Sequence, residues 1–342
     1  MNFNKIATIA KKEFFDSVKS RSFAIVFGIF MVMMLTSSIS GVNDYNGRMD
    51  DYQNMIANIE GSTIFLSFPE PELISVLFEN IIPNIAIMGA ILSIMLGYNA
   101  ISGEKERGNL KLLLSYPLYR DDVINGKFLG KISVLIMTLV ITTIISLSVA
   151  LIMGLVPKTD DIIKLMLFMF VSIAYLVTFL GISIFFSTVS KSETGSMLNS
   201  FMFWIISAML VTSASGLIAD AIVPGSQSNS VSFVIADGID MSDFDDASAG
   251  SGMDNFVRYE QKWRVQNMIE AVISPSQNYK QVANAILGNS EDKFLLMGNN
   301  PTQDLSIFEI LMGKMTNLVS MFLWAIGSLI ATYYVFMRQD IR

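Results

Sequence analysis

The chain has 342 residues, 52% of them hydrophobic and only 15% charged, with a net charge of -7 and a mean hydropathy of +0.52; soluble domains carry roughly 25% charged residues, so a membrane protein is the first reading. Cysteine and histidine are both absent, which excludes disulfides, thiolate and imidazole chemistry and the common zinc sites. An isoelectric point near 4.8 argues against nucleic acid as a partner, because phosphate binding needs concentrated Lys and Arg.

Residues 1–22 come first. Phe3, Ile6, Ala10 and Phe14 recur at helical spacing, and Lys5, Lys12 and Lys19 fall largely elsewhere. That pattern predicts an amphipathic helix lying flat on the anionic lipids of an inner leaflet; the alternative is a cytoplasmic continuation of the first span. A secretory signal is a rival reading, weakened because the apolar run that follows exceeds the ~7–15 residues of a signal core.

A bilayer core about 30 Å thick needs about 20 apolar residues in a helix, and six runs supply them: 23–41, 81–100, 132–156, 165–186, 194–218 and 316–336. None of the six contains Asp, Glu, Lys or Arg. Orientation follows from the basic residues, which collect on cytoplasmic flanks. Residues 1–22, 101–131, 187–193 and 337–342 together hold 14 basic residues against 8 acidic ones, whereas 42–80 holds seven acidic residues and only Arg48 as a base. Both termini are therefore expected in the cytoplasm of a multi-pass plasma-membrane protein, with the acidic outer loop 42–80 outside.

Between the second and third runs lies the most charged stretch, GEKERGNLKLLLSYPLYRDDVINGK, residues 103–127. Glu104, Lys105, Glu106 and Arg107 form a charged turn, Gly108 interrupts it, and Leu110, Leu112, Leu113 and Leu114 make an apolar ridge that ends at Tyr116-Pro117. Asp121 or Asp122 then starts a new helix, where a carboxylate is favoured. Two roles fit a short amphipathic helix held parallel to the membrane: it seats in the groove of a soluble partner, or it rests on lipid headgroups.

Residues 219–315 are far longer than a connection requires and are expected to form a small external domain. Its first half reads as loop with strand fragments, Ser232–Ile235 being the strand-like run, and its second half as helix at 256–272 and 281–287 around the break at Pro275. Asp237, Asp240, Asp243, Asp245 and Asp246 offer oxygen ligands to a hard cation, but their spacing is not that of an EF-hand, and a solvated acidic loop is the better reading.

The spans offer no ionisable group to bind or relay a coupling ion, which argues against ion-driven transport. Candidates for lining a path are Asn84, Thr138, Thr142 and Asn199, whose competing role is to join helices by hydrogen bonds. Gly126-Lys127 and Gly130-Lys131 lack the upstream Gly and the following Ser or Thr of a phosphate-cradling loop. No cofactor site is therefore expected on this chain, and if ATP drives it, another chain binds the ATP and its Mg.

The run ISGEKERGNLKLLLSYPLYRDDVINGK resembles the signature of the ABC-2 type permease family through Glu104, Glu106, Arg107, Gly108, Leu110, Leu113, Leu114, Ser115, Pro117, Arg120, Gly126 and Lys127, with Asn109 where Thr is common. IAKKEFFDSVKSRSF resembles the family's opening connector helix, and Ser274-Pro275-Ser276 with Tyr279 resembles a segment before its last span; residues 221–260 resemble nothing identifiable. The resemblance implies a non-catalytic membrane subunit of an ABC exporter. Two half-bundles, a second copy of this chain or a relative of it, would form the path, each resting on a cytoplasmic ATPase subunit. Residues 103–116 would be the coupling helix, with Glu104, Glu106 and Arg107 in charged contacts there, Leu110 and Leu113 in a hydrophobic notch, and Gly108, Leu114, Pro117 and Arg120 completing the element.

The fold expected is an all-α polytopic membrane protein: connector helix 1–22, spans and loops 23–218, a small α+β external domain 219–315, and a last span with its tail 316–342. Apolar walls favour a hydrophobic or amphipathic cargo moved outward. The competing function is a membrane-anchored ligand-binding or sensory protein that recruits a cytoplasmic partner; an intramembrane enzyme lacks both a His base and an intramembrane carboxylate.

Overall fold

A computed structural model describes residues 3–59, 70–108, 120–224, 246–288 and 307–338, and these are helical with short turns. Six helices are long and apolar enough to cross a membrane: Arg21–Ala57, Leu73–Glu106, Asp121–Ile152, Asp161–Val189, Glu193–Ile222 and Met315–Arg338, one for each apolar run of the sequence. They are called here the first to sixth spans. Four other helices accompany them: α1 (Phe3–Lys19), α2 (Asp246–Ile273), α3 (Pro275–Leu287) and α4 (Ile307–Gly313).

The spans are unequal in burial. In the most apolar stretch of the second and fourth spans, 61% and 67% of residues are buried; in the first, fifth and sixth the share is 22%, 17% and 17%. The second and fourth spans therefore form the packed centre, and the other three present apolar side chains to lipid or to another chain.

Two spans depart from a regular helix, each for a local reason. The second begins as Leu73–Glu79, turns at Asn80-Ile81 and restarts at Ile82, because Pro83 lacks an amide hydrogen and sits in the first turn of the restarted helix. A π-helical turn, Ile85–Gly89, follows at once, and the fifth span carries another at Ile206–Leu210. The first span runs unbroken from Arg21 to Ile59. At 1.5 Å per residue these 39 residues extend about 58 Å, well beyond a bilayer core of about 30 Å. The stretch 42–59, expected as loop, has no proline to stop the helix, and it is anchored by Arg48 on Glu79 (2.9 Å) and Asp44 accepting from Asn80 (2.7 Å).

The described parts of the segment expected as an external α+β domain are helical. No strand occurs among the described residues; Ser232–Ile235 and the aspartates 237–245 lie outside them, and 246–255, expected as loop, is the start of α2. Helix α3 packs inside the bundle against the second, fourth and sixth spans. Its boundaries are coded locally: the Ser274 hydroxyl accepts from the Gln277 amide, Pro275 occupies the first turn, and Gly288 closes the helix at φ 76°. The helix thus starts at Pro275, where sequence reading placed only a break.

Tyr279 of α3 stacks on Tyr175 of the fourth span, with ring centroids 4.4 Å apart and both side chains fully buried. Tyr175 donates to the carbonyl of Ala86 at 2.6 Å, and Tyr279 pairs with the Ser172 hydroxyl at 3.0 Å. The Ser274 hydroxyl donates to the carbonyl of Ser207 at 2.6 Å. Ala86 and Ser207 belong to the two π-helical turns, so α3 and its partner tyrosine satisfy backbone acceptors that those turns expose, as an apolar medium requires.

Replacing Tyr279 by Ala removes the stacked ring and leaves a cavity, with an expected loss of about 3–5 kcal/mol, whereas Tyr279→Phe loses one hydrogen bond, about 1 kcal/mol. Thermal unfolding of the detergent-solubilised protein reads the difference; equal effects of the two changes would count against α3 being a packed part of the core.

Candidate functional site

Glu104, Lys105, Glu106, Arg107, Lys127 and Lys131 gather at the end of the bundle that carries α1. Helix α1 turns Ile6, Ile9, Ala10, Glu13 and Phe14 towards the beginning of the third span. There Gly126 and Gly130, one helical turn apart, let the two backbones meet: a Cβ at Gly126 would stand 2.7 Å from Ile9, and one at Gly130 would stand 2.6 Å from the Ala10 carbonyl. Small residues four apart are the usual means of close helix contact in membranes. The apolar face of α1, expected on lipid, is therefore taken up by protein. Its outer face keeps Lys11, Lys12, Phe15 and Lys19 exposed, with the Lys19 ammonium over the Phe15 ring.

Close contact of the helices buries charge. Lys127 extends from the third span between two carboxylates, 2.7 Å from Glu13 Oε1 and 2.7 Å from Glu104 Oε1, and its side chain is only 5% exposed. Lys131, equally buried, lies 3.7 Å from Glu13 Oε2. Burial on its own would raise the Glu13 pKa, but the ammonium groups of Lys127 and Lys131 more than offset it and hold the carboxyl below its ordinary value. A polar cavity of about 360 Å³ opens beside this cluster, lined by Glu13, Ser17, Ser20, Tyr98, Glu104 and Lys131 among others.

Glu104 belongs to a short arm, residues 101–108, that leaves the second span after a turn at 98–101. The arm begins on the fourth span, where the Ser187 hydroxyl accepts from the amides of Ile101 and Ser102, both at 2.9 Å. The Lys105 ammonium donates to the Thr188 carbonyl. Further along, the Glu106 carboxylate accepts from the amide of Glu193 at 2.9 Å, and Arg107 reaches the Glu193 carboxylate at 3.0 Å. Glu193 is the first residue of the fifth span, so Glu106 satisfies an otherwise orphaned donor at a helix N-terminus, where negative charge is favoured. Gly108 ends the arm in the left-handed region at φ 73°.

Of the residues expected to couple to a partner, Glu104, Glu106 and Arg107 thus each have a partner within the chain. Leu110, Leu113, Leu114 and Pro117 lie outside the described residues, as does the side chain of Arg120, whose backbone opens the helix of the third span. Glu13 and Glu193 are not among the residues expected from the sequence, where Lys131 enters only as part of the Gly130-Lys131 pair. The available signal was the repeat of Gly-Lys at 126–127 and 130–131, which sets two glycines on one helix face with two lysines beside them.

The four residues expected to line a path are hydrogen-bonded to nearby helix groups or exposed. Thr138 and Thr142 bond back to carbonyls of their own helix, at 2.9 Å to Val134 and 3.1 Å to Thr138. Asn84 donates to Ser37 of the first span and to the carbonyl of Asn80 in the turn before its helix, and Asn199 is exposed. An open apolar groove of about 840 Å³ lies elsewhere, between the fourth, fifth and sixth spans, with Ile182, Phe186, Phe203, Val319, Leu323 and Trp324 on its walls. No group of three or more Asp or Glu able to hold a metal ion occurs among the described residues.

A family model described as ABC-2 family transporter protein matches residues 7–341. The probable ABC transporter permease protein NosY of Pseudomonas aeruginosa is 28% identical over 158 residues, 46% of this chain and 49% of that protein. Its counterpart from Stutzerimonas stutzeri is 28% identical over 127 residues, 37% and 38% of the two chains. The chain spans half or less of the length of these curated relatives in the matched regions.

Because the folded Glu13 carboxyl titrates below its ordinary value near 4.5, its ion pairs stabilise the docked α1 at neutral pH, and that contribution fades as pH falls through the lowered value. Glu13→Gln is expected to lower the thermal midpoint at pH 7, with the gap to the wild type closing in acid. A gap that stays constant down to pH 3 would contradict the assignment.

Proposed function

The chain belongs to the ABC-2 family of transporter proteins, and we propose that it is the permease subunit of an exporter, forming half of a translocation path and driven by a separate ATPase subunit that binds ATP and Mg. The match to the family model over residues 7–341 carries this reading. The family and the six long apolar helices make the chain a multi-pass membrane subunit of a transporter.

The basic ends of the spans, with α1 among them, face the cytoplasm. On that side the segment around Leu110 and Leu113 docks on the ATPase, and the arm that carries it is held by Glu104, Glu106 and Arg107. Support for the role of these three as holders of the arm comes from their partners: Glu104 on Lys127, Glu106 and Arg107 on Glu193. A second copy of the chain or a related permease completes the path. The three weakly buried spans and the apolar groove between the fourth, fifth and sixth favour a hydrophobic or amphipathic cargo. A membrane-anchored sensor is less well supported, because α3, the best-packed part of its supposed external domain, lies in the bundle.

The test is assembly. Purified from its native membrane, the chain should bring down an ATPase, and vanadate-sensitive ATP hydrolysis and cargo movement in liposomes should require both chains. Leu110→Asp with Leu113→Asp should abolish co-purification while leaving insertion intact. Cargo movement by the isolated chain would overturn the reading. Orientation has its own check in this cysteine-free protein: cysteines at Asp50 and Ser251 should react with impermeant thiol reagents in whole cells, and one at Lys19 should be protected.

A further inference from the structure

Resting on that reading, we infer that Lys127 and Glu193 are two separate positioning residues through which the arm 101–108 moves two different spans, the first by way of α1 and the fifth directly. The pivot is at the start of the arm, where Ser187 of the fourth span binds the amides of Ile101 and Ser102 and Thr188 binds Lys105. The fourth span is the most deeply buried of the six in its apolar stretch, so this end of the arm is fixed to the least mobile part of the bundle.

Beyond the pivot the arm has two points of attachment. At the first, Glu104 shares the Lys127 ammonium with Glu13 of α1, at 2.7 Å to each. A displacement of Glu104 therefore pulls on α1 or breaks a buried ion pair, and breaking it leaves a charge without compensation in a site of low dielectric. Helix α1 is separated from the first span by Ser20 alone, and hydrogen bonds cross that residue on both sides, Ser20 N to Ser17 O at 3.1 Å and Ala24 N to Ser20 O at 3.0 Å. Movement of α1 therefore reaches the first span. At the second point, Glu106 and Arg107 grip the amide and the carboxylate of Glu193, the first residue of the fifth span. The first and fifth spans are both weakly buried, which lets them shift without repacking the centre.

The two attachments share no side chain, so they can be cut one at a time. Spin labels on cysteine pairs 50 with 166 and 217 with 166 report the far ends of the first and fifth spans against the fourth, from positions exposed to solvent or lipid. Measurements by double electron–electron resonance compare the nucleotide-free and the vanadate-trapped states of the complex with its ATPase in nanodiscs. In the wild type both distances shift. Lys127→Met should remove the shift of the first span and keep that of the fifth; Glu106→Ala with Arg107→Ala should do the opposite; Lys127→Arg, which keeps a cation between the two carboxylates, should restore the first. Should Lys127→Met fail to assemble, Glu104→Ala cuts the same attachment from its more exposed side and is read in the same way. Both shifts surviving in Lys127→Met, or both vanishing together in an assembled complex, would overturn the division of roles. No shift in the wild type would instead overturn the coupling reading, and this inference with it.

Discussion

An ammonium group buried to 5% exposure costs several kcal/mol in lost hydration, and only close, well-oriented carboxylates offset it. Lys127 has two, and they come from helices far apart in sequence: Glu13 precedes it by 114 residues and Glu104 by 23. The pairing fixes where α1 lies, where the arm lies, and the end of the third span between them. It also explains the local sequence. Only with glycine at 126 and 130 does α1 come close enough for Glu13 to reach Lys127, and only with Glu104 on the arm does the ammonium gain its second carboxylate.

At the other extreme the bundle has no charge to place in its apolar centre and satisfies backbone groups instead. Pro83 and the two π-helical turns interrupt the regular helical ladder, and hydrocarbon offers no water to its carbonyls. Tyr175 and Ser274 supply the donors. Helix α3 is thus held by hydrogen bonds to irregular backbone as well as by the Tyr175–Tyr279 stack, and Asn317 of the sixth span adds bonds to Asn278 and Gln281 at 2.9 and 3.1 Å. π-Helical turns frequently mark functional positions; here both are in contact with the segment around α3 that enters the bundle after the fifth span.

The six spans were legible because a 20-residue apolar run has few other physical meanings, and each apolar run of the sequence lies on its own long helix. The signature at 103–127 was legible as a charged, amphipathic excursion, but the direction in which its charges point was not: nothing local tells Glu106 that Glu193 lies beside it, 87 residues away. The candidate path residues show a related ambiguity. Thr138 and Thr142 are polar groups in a span, yet a threonine in a helix can satisfy itself on its own backbone, so polarity alone does not identify a conduit. Helix α3 was missed as a bundle element because its polar residues, Ser276, Asn278 and Gln281, read as solvent-facing until their partners on the fourth and sixth spans and on α2 are known.

These two halves of the molecule bear on how force would travel through it in the proposed coupling. Ion pairs sit at both ends of the bundle, around Lys127 at the α1 end and at the opposite end, where Arg48 meets Glu79, Lys164 meets Glu72 and Lys262 meets Asp220; neutral hydrogen bonds and aromatic stacking hold the apolar centre. A bundle stitched by charges throughout would pay for every rearrangement in unpaired ions, whereas apolar faces such as those of the first and fifth spans slide at little cost once their ends are moved. The arm touches both regimes: the Ser187 hydroxyl and the Thr188 carbonyl hold it to the fourth span, and ion pairs join it to Lys127 of the third span, shared with Glu13 of α1, and to Glu193 of the fifth. An input applied there divides between a part that does not yield and two that can.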